Sequence, residues 1–189
     1  MEALQIVRRE LGLERAGRIC ALWAEVWPRA NAEGAPLEER AEALLADELL
    51  DQRMEPGSEL FHVLEEEGQL LAVARSFVRK IRFEATGASC SVLALAGVCS
   101  SPSLRGRGLG KAVVLDAFGR LGRELDWCLF QTGVPEFYER LGACRVYNEF
   151  RDSVSGAGEE SPWWDAYVMV KSVGRNWPAG RVDLCGVAY

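Results

Sequence analysis

Apolar positions along the chain change period several times, and each change marks an element. Leu4 to Arg9 reads as a short first strand. From Arg15 to Trp27, Ile19, Leu22, Trp23 and Val26 fall on one face of a 3.6-residue period and Pro28 closes the run, which predicts an amphipathic helix. A polar loop over 31–36 follows, and Leu37 to Met54 predicts a second helix with Ala41, Leu44, Leu45 and Leu49 inward. Pro56-Gly57 then turns the chain and the period shortens towards two. Leu60–Leu64 and Leu70–Phe83 read as strands joined by the acidic turn 65–69, and Thr86-Gly87-Ala88 turns again. Within Leu60–Leu64, His62 reads as a packed or half-exposed strand residue.

Ser91 to Cys99 (SVLALAGVC) is apolar on both faces and runs into Ser100-Ser101-Pro102, as expected of a strand covered on both sides and ended by a residue with no N–H to give. Ser103 and Leu104 lead to Arg105-Gly106-Arg107-Gly108-Leu109-Gly110, and Lys111 to Leu121 returns to helical spacing. Glycine lets a ligand approach the backbone closely. A helix start offers unpaired N–H groups at its positive end, and two guanidinium groups stand beside them. Arg105 to Gly110 is therefore a candidate anion site suited to a pyrophosphate. The spacing is neither the GxGxxG of a dinucleotide fold nor a P-loop, since no GKS or GKT follows.

Arg105, Gly108 and Gly110 occupy the fixed positions of Gln/Arg-x-x-Gly-x-Gly/Ala, and in this the chain resembles the GNAT superfamily of acyl-CoA N-acyltransferases. The resemblance implies an α/β (α+β) fold with a mixed, mainly antiparallel central sheet flanked by helices. It implies acetyl-CoA as co-substrate and no metal. It assigns Val98, Cys99 and Ser100 to the pantetheine arm, and Arg105, Gly106, Arg107, Gly108, Leu109, Gly110 and Lys111 to the phosphates. In that family the two early helices border the acceptor pocket, which makes Glu25, Trp27, Glu33 and Glu38 candidate amine contacts, against the alternative of a solvated acidic face.

Farther on, Trp127–Thr132 reads as a short strand, Pro135 suits the first turn of a helix over Glu136–Leu141, Gly142 caps it, and Arg145–Phe150 is a strand. This FYERLGACRV segment resembles the second GNAT motif and makes Tyr138 the candidate general acid; Ala143 stands where the motif has phenylalanine. A phenol of pKa ~10 can protonate a departing thiolate whose conjugate acid lies at ~8.5–10. No acid lies between Leu93 and Cys99 to serve as strand-borne base, and Cys99 has no histidine near it in sequence to make it a nucleophile. With a single histidine, no serine triad is obvious either.

Asp152–Pro162 reads as a polar loop, Trp163–Val173 as a last strand, and 175–189 as a tail that packs back near the acceptor site. Its aromatic end resembles that of the aminoglycoside 2′-N-acetyltransferases, whose terminal carboxylate reaches the acceptor; the resemblance places Tyr189 there, as a second catalytic candidate.

Composition narrows the classes further. The 189 residues suit one domain, 1–189, with a core over 1–174 and the cofactor loop at 98–111. A net charge of -6 argues against a nucleic-acid partner and suits a cationic small-molecule amine. Six cysteines without a CxxC, beside the lone His62, read as reduced thiols rather than a zinc site. No apolar run approaches the ~20 residues of a membrane span. The expectation is a cytoplasmic N-acetyltransferase with a small-molecule acceptor, compatible with a homodimer. The alternative is a GNAT module that senses acyl-CoA without turnover.

Overall fold

The structure is a computed structural model and describes residues 2–28, 35–46, 54–122, 124–154 and 161–189. Its elements are β1 (Leu4–Ile6), α1 (Arg8–Leu11), α2 (Leu13–Val26), α3 (Leu37–Leu45), β2 (Leu60–Glu66), β3 (Gln69–Phe83), β4 (Ser89–Ser100), a 3-10 turn (Pro102–Leu104), α4 (Leu109–Phe118), β5 (Trp127–Thr132), α5 (Pro135–Glu139), β6 (Cys144–Val146), β7 (Phe150–Arg151), β8 (Tyr167–Ser172) and β9 (Val182–Asp183). The fold is a mixed, mainly antiparallel sheet with flanking helices. Two compact units divide it: Met1–Gln52, Pro56–Ser76 and Gly97–Ala117 in the first, and Arg53–Glu55, Phe77–Ala96 and Phe118–Tyr189 in the second.

In the first unit β1, β2 and the leading part of β3 are antiparallel neighbours, with Gln5 opposite His62 and Val63 opposite Val73. The strand period of two sorts their side chains. Phe61, Val63 and Val73 are buried against Leu11, Ala16, Ile19, Cys20, Leu22, Ala41 and Leu44 from the three N-terminal helices. Each fully buried aliphatic or phenyl group contributes roughly 1.5–3 kcal/mol from water exclusion, so this face holds α1 to α3 in place. Buried Glu59 accepts from the guanidinium of Arg8 at 2.5 Å and is also paired with Arg75, which compensates its charge.

In the second unit, Leu93 and Ala94 of β4 pair in parallel with Cys128 and Leu129 of β5; β5 pairs antiparallel with β8, and β8 with β6. The core collects Ile81, Phe83, Val92, Trp127, Leu129, Phe150, Trp163, Val170, Val182 and Leu184. The tail over 175–189 is ordered within this unit. Its β9 pairs with β3 and β7, and buried Arg79 donates to the carbonyls of Leu184 and Val187 while its guanidinium lies 5.1 Å from the Tyr189 ring centroid.

Asp183 is the polar tie of that tail. It has no solvent exposure; burial pushes its carboxyl up, but the N–H groups of Cys185 and Ser153 and the Arg82 guanidinium outweigh burial and hold it at about 2. Because the folded value lies below the unfolded one, the stabilisation is present above pH ~4 and is lost as pH falls towards ~2. Asp183→Asn is expected to lower stability by about 2–3 kcal/mol at neutral pH, with the gap closing across that acid window in denaturant titrations.

Several boundaries differ from the sequence reading. The chain bends at Val7 into α1, where β1 was expected to continue to Arg9, and α2 begins two residues early after Gly12, whose φ of +68° suits glycine. The part of the second helix expected over 47–53 lies outside the described residues, as do Glu33 and 155–160 of the polar loop. The strand expected over Arg145–Phe150 is two short pieces with Tyr147 exposed between them. Trp163–Asp165 precede β8 as irregular chain, because Gln131 Oε1 takes the N–H groups of Trp164 and Asp165 that a ladder would use.

Candidate functional site

The first unit carries the glycine loop. The 3-10 turn closes with Leu104 N–H on the carbonyl of Ser101, after Ser101 N–H has tied the end of β4 to the carbonyl of Leu71 in β3. Gly106 and Gly108 have φ of +82° and +78°, a region where other residues are strained, and a Cβ at either would meet no protein atom within 4 Å. The space above the loop is open, and the backbone there is accessible from outside. Ala112 N–H accepts the role of first helical donor, bonding the carbonyl of Gly108. Helix α4 thus begins at Leu109, two residues before the expected start, and its opening turn lies inside the loop.

The N–H groups of Leu109, Gly110 and Lys111, in the opening turn of α4, have no acceptor within the helix, whose first bond is that of Ala112. Arg105, Arg107 and Lys111 are exposed, and none forms an ion pair among the described residues. Three cations and a row of unpaired N–H groups therefore converge on one loop. Beside it runs the end of β4. Val98 and Ser100 are half-buried, Cys99 is buried in the core of the first unit, and no described strand of that unit pairs with the edge of 97–100 away from β3. Burial pushes the Cys99 thiol up to about 12, helped by the nearby Glu25 charge, so the thiolate needed for nucleophilic attack is not available at neutral pH.

Gly97 shapes this strand end and was not singled out by sequence. Its φ is +57°, a Cβ there would come within 2.7 Å of the Trp23 ring, and Trp23 Nε1 donates to the Gly97 carbonyl at 2.9 Å. An isolated glycine in an apolar strand is the only signal in the sequence for such a bend. Gly97→Ala combines a left-handed backbone with a clash against a ring held by its own hydrogen bond. It is expected to destabilise the protein by about 2–4 kcal/mol in chemical denaturation.

The second unit carries both tyrosine candidates. Tyr138 lies on α5, where Pro135 starts the helix and Gly142, φ +79°, follows it; the Tyr138 carbonyl accepts from Leu141 and Ala143 N–H, which seats the turn. Its ring is 6% exposed, 4.6 Å from the Phe130 centroid and edge-on to Phe137. Tyr189 packs instead with Phe77 and Trp163; its hydroxyl donates to the carbonyl of Leu129 at 2.6 Å, and its own carbonyl accepts from Gln131 Nε2. Phe130 projects from β5 opposite to Leu129 and Gln131, so the two tyrosines occupy opposite faces of that strand. Burial pushes the Tyr189 phenol well above its ordinary value, and its proton is committed to Leu129. Among the described residues no group of three or more His, Cys, Asp or Glu side chains is arranged to hold a metal ion, and no helix is long and apolar enough to cross a membrane.

No protein-family model matches the chain, and no curated protein matches it. Solved structures do. A GNAT-family N-acetyltransferase from Escherichia coli in complex with CoA is 20% identical with a TM-score of 0.55, over 97% of this chain and 89% of that one. A GNAT-family acetyltransferase from Brucella melitensis in complex with acetyl-CoA is 18% identical with a TM-score of 0.57, over 96% and 94%. A GCN5-related N-acetyltransferase from Kribbella flavida is 17% identical with a TM-score of 0.54; the match covers 76% of this chain, which spans about a third (33%) of that protein. The chain has the GNAT acyl-CoA N-acyltransferase fold.

Proposed function

We propose that the protein is an acyl-CoA-dependent N-acetyltransferase that moves an acetyl group from acetyl-CoA directly to a primary amine of a small molecule. One observation carries the reading: the N–H groups that open α4 at Leu109, Gly110 and Lys111, flanked by Arg105, Arg107 and Lys111 with no acidic partners among the described residues, stand beside the open edge of β4. The residues fit the cofactor. Arg105, Gly106, Arg107, Gly108, Leu109, Gly110 and Lys111 would hold its pyrophosphate, and the backbone of Val98, Cys99 and Ser100 would pair with its extended arm. The complexes of similar fold with CoA and acetyl-CoA support this assignment.

Acetyl-CoA supplies an activated acyl group. A neutral amine attacks the thioester carbonyl, and a backbone N–H at Val98 or Cys99 stabilises the resulting oxyanion. As the carbon–sulfur bond breaks, Tyr138 would give its proton to the departing thiolate and regain one from solvent, while the proton shed by the amine would pass to solvent. The high value of the Cys99 thiol supports direct transfer over an acyl-enzyme. The acceptor is a cationic amine, with aminoglycoside-like compounds the first class to test. The net charge of -6 supports that choice.

Release of free thiol from acetyl-CoA over a panel of amines tests the reaction. Amine-dependent release is expected. CoA binding without release from any amine would favour the sensing module instead, a reading supported by the lack of an acidic residue over 93–99.

A further inference from the structure

Helix α4 is fastened to the sheet of the first unit by a polar chain, running from buried Ser76 and His62 to half-buried Asp116 and exposed Gln5, that the proposed chemistry does not use. His62 has no solvent exposure. Its Nδ1 lies 2.5 Å from Asp116 Oδ2 on α4, and its Nε2 lies 2.6 Å from the hydroxyl of Ser76 on β3. Gln5 on β1 donates its amide to both oxygens of Asp116 at 3.1 Å. A carboxylate only accepts, so Nδ1 carries the proton towards Asp116 and Nε2 faces the Ser76 hydroxyl. The order is that of a serine triad, but Ser76 is fully buried and its hydroxyl cannot meet a substrate.

The register explains how three strands reach one helix. Gln5 stands opposite His62, and His62 stands opposite Ala74, so Gln5, His62 and Ser76 project from the same face of β1, β2 and β3. The opposite face is the one packed on α1 to α3. The remaining buried side chains of α4 in this unit, Leu109, Val113, Val114 and Ala117, are apolar and tolerate small sliding; a carboxylate gripped by an imidazole and an amide does not.

We infer that His62 and Asp116 are positioning residues for the cofactor site: through their bond, the sheet fixes the height of α4 and thereby the N–H groups of the loop that opens it. The inference rests on the cofactor reading given above. Asp116 lies about 12 Å along the helix from Gly108, and a helix transmits an axial shift along its whole length. The effect should fall on the part of the ligand that the helix start holds, which is the pyrophosphate.

The test is calorimetric titration of CoA and of S-acetylpantetheine, which lacks the pyrophosphate, into the full chain and into His62→Leu, Asp116→Asn and Gln5→Leu. Asp116→Asn keeps size and exposed surface, and Gln5→Leu leaves the His62 contact intact, so folded protein is expected where His62→Leu fails. Asp116→Asn is expected to weaken CoA about tenfold, Gln5→Leu less, with S-acetylpantetheine affinity within about twofold of the unmodified protein. His62→Gln, which restores a donor and an acceptor, should recover part of the CoA affinity. Unchanged CoA binding in folded Asp116→Asn, or equal weakening of both ligands, overturns the inference while the cofactor reading stands. Failure of the unmodified protein to bind CoA overturns both.

Discussion

Arg105→Ala combined with Arg107→Ala is expected to weaken CoA binding by about a hundredfold while leaving thermal stability almost unchanged. Each guanidinium that meets a phosphate makes charge-assisted hydrogen bonds, and about 1.4 kcal/mol apiece, a conservative value for a solvent-facing loop, gives that factor. The stability forecast follows from exposure: both side chains are exposed and neither has an acidic partner among the described residues, so removal breaks no ion pair there. Raising salt should shrink the difference between the double variant and the unmodified protein, because the lost attraction is screened. Titration of CoA at two ionic strengths measures both effects. A large fall in melting temperature would mean that the arginines serve the fold.

Tyr138→Phe is expected to lower the rate of acetyl transfer by 10²–10⁴-fold, the usual span for loss of a positioned acid or base, with CoA affinity held within about twofold. The ring sits against Phe130 and Phe137, and phenylalanine preserves those ring contacts, so a melting curve beside the parent's separates any structural role of the hydroxyl from its chemistry. Thiol release at saturating acetyl-CoA reads the rate, and calorimetry reads the affinity. Full activity in Tyr138→Phe would remove Tyr138 from the mechanism. The corresponding Tyr189→Phe deletes the hydroxyl bonded to Leu129 and should act on stability, since an unpaired carbonyl in that buried place costs about 1–3 kcal/mol.

The elements with strong local signals were legible in the sequence. The apolar spacing of α2, the alternation of β2, the doubly apolar β4 and the proline that opens α5 each place an element within a few residues of where it lies. The glycine turn was legible because Gly106 and Gly108 hold φ values that favour glycine. What escaped depends on partners distant in the chain. Gly97 needs Trp23, 74 positions away, to explain its bend, and His62 needs Asp116, 54 positions away, to become more than a packed strand residue. A single histidine argued against a catalytic triad; the fold gives it a serine and a carboxylate from other elements, but Ser76 is buried away from any substrate. The late start of β8 was likewise set by a side-chain claim on backbone N–H groups, which periodicity does not carry.

The measurement that tests the central claim most directly is calorimetric titration of the unmodified protein with acetyl-CoA, repeated with the Arg105→Ala, Arg107→Ala double variant. The account predicts saturable one-to-one binding by the first and about a hundredfold weaker binding by the second. No binding by the unmodified protein, or equal binding by both, would contradict the assignment of Arg105 to Lys111 as the cofactor site.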